Sequence, residues 1–162
     1  FAKHALKKYD CKRRNTMEIK SIDHIGLIVQ DIEKAVRFYT DVMGFALTGE
    51  ITPWAGSAEE CAAMQVPAGT EYRCAMVQAP GGISIQFMEF SAMQSNVPLN
   101  TRGAHYLTFM VDDIHGWVKK LEENGCTAMS QPLSYDEFGQ TIQWCYVTDP
   151  NGIIFELTSA VS

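Results

Sequence analysis

No stretch of this 162-residue chain approaches the roughly 20 consecutive apolar residues that a membrane-spanning helix needs. Its first 16 residues lack the apolar segment of a secretory signal. The expectation is a soluble protein of the cytoplasm, without a membrane partner. No Cys-x-x-Cys pair occurs among its five cysteines, Cys11, Cys61, Cys74, Cys126 and Cys145. An odd count without such pairs excludes a zinc ribbon and a disulfide framework, and fits reduced thiols. Cys74 and Cys145 sit in apolar runs and read as buried small hydrophobes.

Basic residues are scarce as well. Thirteen Lys and Arg face 19 acids, for a net charge of −6 and a pI near 5.1. Six of the 13 crowd into residues 1–16, at Lys3, Lys7, Lys8, Lys12, Arg13 and Arg14. Beyond that tail seven basic residues face 18 acidic ones, a net of −11. A nucleic-acid partner needs a basic face, and the body of this chain has none. Met17 opens "MEIKSIDHIG" and reads as a native start. Residues 1–16 are then a disordered tail or an added upstream leader. The 46% hydrophobic content suits one ordinary core over 17–158.

What the chain does have is an internal repeat. "HIGLIVQDIEKAVRFYTDVMG" (24–44) is echoed by "HYLTFMVDDIHGWVKKLEENG" (105–125), with His105 falling 81 residues after His24. Each segment runs from His through a β-rich stretch to Asp-Ile, then continues with helical spacing and stops at Gly. Asp31 and Asp113 are natural N-caps, and Gly44 and Gly125 natural stops. "EYRCAMVQAPGGISIQFMEF" (71–90) matches "TIQWCYVTDPNGIIFELTSA" (141–160) at an offset of 70. Both read as strand, tight turn, strand. With a short strand after each helix, at Ala46–Ile51 and Thr127–Ser130, each half becomes β-α-β-β-β. The repeats span about 20–90 and 101–158. The first carries about 11 extra residues around Pro53–Thr70, where Ser57 and Glu60 have the spacing of a capping box.

Four histidines occur in all, and two of them, His24 and His105, open equivalent strands. Four residues after Gly82 stands Gln86, and four after Gly152 stands Glu156. A Gln or Glu in such an apolar strand needs a partner. Paired halves would bring His24, Gln86, His105 and Glu156 together as a mixed nitrogen and oxygen set. Such a set suits Zn²⁺, Ni²⁺, Co²⁺, Mn²⁺ or Fe²⁺, with open positions left for water or substrate. Glu89 is the rival to Gln86, but the two differ by an odd number and face opposite sides of a regular strand.

At these residues the chain resembles the vicinal oxygen chelate superfamily, which includes glyoxalase I, methylmalonyl-CoA epimerase, extradiol dioxygenases and bleomycin resistance proteins. "IDHIGLIVQDIEKAVRFYTDVMGF" and "VTDPNGIIFELT" look like its opening and closing segments. The resemblance implies an α+β fold: two tandem βαβββ modules in a cup-shaped, mostly antiparallel sheet with helices outside. It implies the same four ligands and a small-molecule substrate, with the site built within one chain or across a dimer; a homodimer is expected because an open cup of sheet leaves apolar surface to cover. A His/Gln/His/Glu set is most similar to methylmalonyl-CoA epimerase and glyoxalase I. The activity so implied is a metal-dependent lyase or isomerase that abstracts a proton α to a carbonyl. The family's catalytic carboxylate has no match within "YRCAMVQAP". Glu71, which shares the parity of Ala75, and Glu156 are the catalytic candidates, with Glu59 and Glu60 of the insertion behind them. The alternative is a non-enzymatic binding protein for a small molecule or antibiotic.

Overall fold

Both predicted helices start on their aspartates. The Asp31 side chain accepts the Lys34 N–H at 2.8 Å, and the Asp113 side chain accepts that of Gly116 at 3.0 Å. These caps open α1 (Ile32–Arg37) and α3 (Ile114–Glu123). After α1 the chain continues as a π-helical turn, Phe38–Val42. Gly44 and Gly125 end the two helical segments at φ +76° and +84°, a region costly for any residue with a Cβ. This computed structural model describes residues 21–93, 104–137 and 139–161. The tail and Met17 lie outside the described residues.

Each half builds a five-stranded sheet. In the first, β1 (His24–Ile28) pairs in parallel with β5 (Ser84–Phe90), which pairs antiparallel with β4 (Glu71–Gln78). Two short strands, β2 (Ala46–Leu47) and β3 (Thr52–Ala55), share the far edge of β4. The second sheet repeats this with β6 (Leu107–Met110), β10 (Ile154–Val161), β9 (Gln140–Thr148), β7 (Thr127–Ala128) and β8 (Leu133–Glu137). The sheets are mostly antiparallel, as expected, and each has one parallel edge.

The one departure is the split edge strand. Leu47 faces Val77 and Thr52 faces Cys74, so five steps on one strand meet three on the other. Ala128 faces Val147 and Leu133 faces Trp144, the same mismatch. Each half is thus a βαβββ unit whose second strand carries a two-residue bulge at one ladder position. The extra material of the first half is α2 (Ala58–Met64), opened by the reciprocal Ser57–Glu60 capping box. Among the described residues no helix is long and apolar enough to cross a membrane.

The helices cover one face of each sheet, and that side forms a single core. Tyr39, Ile85 and Phe87 from the first half join Leu121, Phe155 and Leu157 from the second, all fully buried. Rings bridge the halves: Phe109 lies 5.7 Å from Phe45 and 5.5 Å from Phe155. The second hairpin turn also docks on the first helix. Asn151 Oδ1 accepts the Asp31 N–H at 3.0 Å, and Lys34 Nζ donates to the Pro150 carbonyl at 2.9 Å. Cys61, Cys74, Cys126 and Cys145 are all free thiols.

Candidate functional site

His24 opens β1 opposite Ser84, and Gly26, two residues on, stands opposite Gln86. Side chains alternate along a strand, so His24 and Gln86 share a face. It is the helix-free face, because the alternating Ile85 and Phe87 are buried in the core. Asp23 Oδ2 lies 2.8 Å from His24 Nδ1. A carboxylate at one ring nitrogen orients the imidazole and leaves Nε2 to meet a ligand. The Gln86 amide has no hydrogen-bond partner among the described residues. It lines an open cleft of about 470 Å³ with Trp54, Tyr72, Cys74, Glu50 and Glu60.

The second half presents Glu156 in the matching place. Glu156 stands opposite Thr108 on β6, whose hydroxyl donates to its Oε2 at 2.8 Å. On its other side it faces Tyr146 of β9. The Tyr146 ring meets Tyr106 edge to face, 5.3 Å between centroids, and Trp144 in the same manner at 5.7 Å. Hydrogen bonding to Tyr106, then burial and the charge of Glu156, push the Tyr146 phenol up to about 12. Tyr106 is therefore on the helix-free face with Glu156.

His105 is one residue out of step with this arrangement. Extending the β6–β10 ladder by one pair sets Tyr106 against Ile154, just as His24 stands against Ser84. His105 precedes it, exposed and without a partner among the described residues. Within the chain, His24, His105 and Glu156 are not gathered within 4.8 Å of one another.

The structure separates Glu71 from the rest. It shares its face of β4 with Arg73, Ala75 and Val77, whereas Gln86 stands opposite Met76. Its parity with Ala75 is as the sequence predicts, but Ala75 belongs to the helix-side core. Glu71 thus lies on the wrong face to meet Gln86. Glu59 and Glu60 lie in α2, and of the two only Glu60 lines the Gln86 cleft. One Glu60 oxygen accepts the Ser57 N–H at 2.8 Å, and that bond lowers its pKa.

Glu89 faces the helix side, as its odd spacing from Gln86 requires. Its Oε2 accepts the Ile32 N–H at 2.8 Å and pairs with Arg73 Nη2 at 2.7 Å. Asp31, Glu33 and Glu89 bring carboxylate oxygens within 4.8 Å of one another. Arg73 already bridges Glu33 and Glu89, and it holds the Glu33 carboxyl below the usual range. The trio is an ion-pair cluster that seats the start of α1.

The helix-free faces thus carry two half-sites, an imidazole with an amide and a carboxylate with a phenol. Sequence positions 21–157 match the model of the Glyoxalase/Bleomycin resistance protein/Dioxygenase superfamily. The chain belongs to that superfamily. A glyoxalase family protein from Bacillus cereus is similar in fold, with a TM-score of 0.75 at 19% identity, over 93% of this chain and 100% of that one. A glyoxalase family protein from Enterococcus faecalis gives 0.60 at 17%, over 88% and 99%. A glyoxylase/bleomycin resistance protein/dioxygenase domain from Frankia sp. EAN1pec gives 0.59 at 17%, over 90% and 95%. At such identities the likeness concerns the fold. No curated protein matches the chain.

Many members of this superfamily bind divalent metals. The donor chemistry here fits one: an exposed, oriented imidazole with a half-buried amide, unpartnered among the described residues, and a half-buried carboxylate, all on helix-free faces. Sequence reasoning missed Asp23, Thr108, Tyr106 and Tyr146. Tyr106 had a signal. It lies seven residues before the Asp113 cap, as His24 lies seven before Asp31, whereas His105 lies eight before it.

Proposed function

We propose that this protein is a metal-dependent lyase or isomerase that abstracts a proton α to a carbonyl of a small α-oxygenated compound. The observation that carries the reading is the Asp23–His24 pair with Gln86 beside it on one open sheet face. His24, Gln86 and Glu156 would hold the metal, and His105 stands one position from the remaining corner. A bound divalent ion would supply positive charge against the oxygens that gain charge as the proton leaves. Glu156 is the catalytic carboxylate. The Thr108 hydroxyl holds one of its oxygens at 2.8 Å, and the carboxylate would leave the metal to take the proton. The cleft beside Gln86 receives the rest of the substrate, with Trp54 and Tyr72 as its apolar walls and Glu50 and Glu60 as its polar ones.

Solvent deuterium exchange into 2-oxo acids and acyl thioesters tests the reaction, on protein loaded in turn with Ni²⁺, Co²⁺, Zn²⁺ and Mn²⁺. Exchange lost in Glu156→Gln supports it. No exchange under any loading overturns it.

A second reading is favoured by the aromatic lining of the second half, where Tyr106, Trp144 and Tyr146 pack edge to face beside exposed Tyr135. Such a surface suits a protein that holds a flat ligand without changing it. Recovery of the bound compound unaltered, with no exchange, would identify that role. In either case we infer a homodimer, since Ile28 and Met110 leave apolar surface exposed on the strands that carry the half-sites. Light scattering at working concentration gives twice the chain mass if so.

A further inference from the structure

We propose that Tyr106, and not His105, completes the site, so that its donors are one imidazole nitrogen and three oxygens. The inference rests on the metal-binding reading above. Three observations converge on it. The β6–β10 ladder, with Leu107 against Phe155 and Thr108 against Glu156, carries Tyr106 to the place that His24 holds against Ser84. Counting back from the helix caps gives the same pairing, seven residues in each half. The third is independent of register. The Tyr106 ring packs 5.3 Å from that of Tyr146, and Tyr146 stands directly opposite Glu156 on the helix-free face. His105 has the opposite parity to Glu156 and Thr108, and makes no hydrogen bond with any described residue.

The exchange changes the chemistry. An imidazole is an intermediate ligand that serves zinc, nickel, copper and iron, whereas oxygen donors are hard and suit manganese. Phenolate oxygen is itself an iron ligand in some haem proteins. A set of His24, Gln86, Glu156 and Tyr106 therefore suits Mn²⁺ or iron. Coordination by Tyr106 displaces the phenol proton to solvent, so binding releases a proton. Tyr146, packed edge to face on Tyr106 and hydrogen-bonded to it, would support its ring.

The test uses Mn²⁺ alone, titrated into the full chain and followed by calorimetry and by the loss of the free-ion electron paramagnetic resonance signal. Tyr106→Phe is expected to weaken binding by more than roughly tenfold, the scale at which even supporting groups of metal sites act. His105→Ala is expected to leave it unchanged. The phenyl ring of Tyr106→Phe keeps the edge-to-face packing, and an unchanged thermal transition confirms the fold. Fe³⁺ is the second probe. Phenolate coordination gives a visible charge-transfer band, which Tyr146→Phe keeps and Tyr106→Phe loses. Mn²⁺ binding that falls in His24→Ala and His105→Ala but survives in Tyr106→Phe overturns this inference and leaves the metal reading standing. A wild-type chain that binds neither ion overturns both.

Discussion

Asn151 Oδ1 accepts the backbone N–H of Asp31 at 3.0 Å, across 120 positions of sequence. The bond ties the hairpin turn of the second half to the residue that caps the first helix. Replacing Asn151 with Ala strands that N–H in a partly buried setting, at a cost of about 1–3 kcal/mol. Urea unfolding of Asn151→Ala should show the loss as a lower midpoint with an unchanged slope. An unchanged midpoint would mean that the turn contributes nothing to joining the halves.

Asp149, in the same turn, sets a pH dependence. Burial raises its carboxyl above the ordinary 3.8, against the lowering effect of the Ile153 and Asn151 N–H groups that it accepts. A carboxyl raised in the folded state favours folding in its protonated form. Its stabilising contribution is therefore full below pH 3.8 and declines as pH rises through the raised value. Asp149→Asn keeps an acceptor for both N–H groups and removes this titration. Its stability should be flatter than wild type from pH 3.8 upward, and equal or higher at neutrality. A pH profile identical to wild type sinks the assignment.

Asp23 should matter to metal affinity without touching the metal. It orients His24 from Nδ1, and loss of such a partner weakens related sites by roughly ten- to a hundredfold. Asp23→Asn is thus expected to lower affinity while the thermal transition stays put. His24→Ala should abolish binding and also keep the fold, because the residue is exposed and leaves no cavity.

Arg73 bridges Glu33 and Glu89 with about a third of its side chain exposed. Solvent screening limits such pairs to about 1 kcal/mol or less. Arg73→Ala also leaves two carboxylates facing each other at the start of α1. A loss near that limit, partly relieved by added salt, is the expected result of denaturation at low and high ionic strength. A salt-independent loss would point to packing by the side-chain stem instead.

Most of the fold was legible because its signals are local. The capping aspartates, the Ser57–Glu60 box and the two Pro- and Gly-bearing turns each dictate backbone geometry within a few residues. The split of the edge strands was not, since a bulge arises from the mismatch between partners and leaves no trace in one strand alone. That Gln86 and Glu89 take opposite faces followed from parity. His105 shows the limit of matching residues by type: two like residues were aligned, and the ladder sets them one step apart. Glu71 shows another, because parity says which residues share a face but not which face a helix will cover.

The bulge also bears on how the two halves are related. Moving it along a strand would keep each side chain it passes on its face but shift its cross-strand neighbours by two residues, so it resists small changes once a core has formed around it. It sits at the same rung in both halves, between Leu47 and Thr52 and between Ala128 and Leu133. A shared rung is what copying a unit that already carried the bulge would leave. Among the described residues α2 has no counterpart in the second half, so it sets apart the half that bears His24.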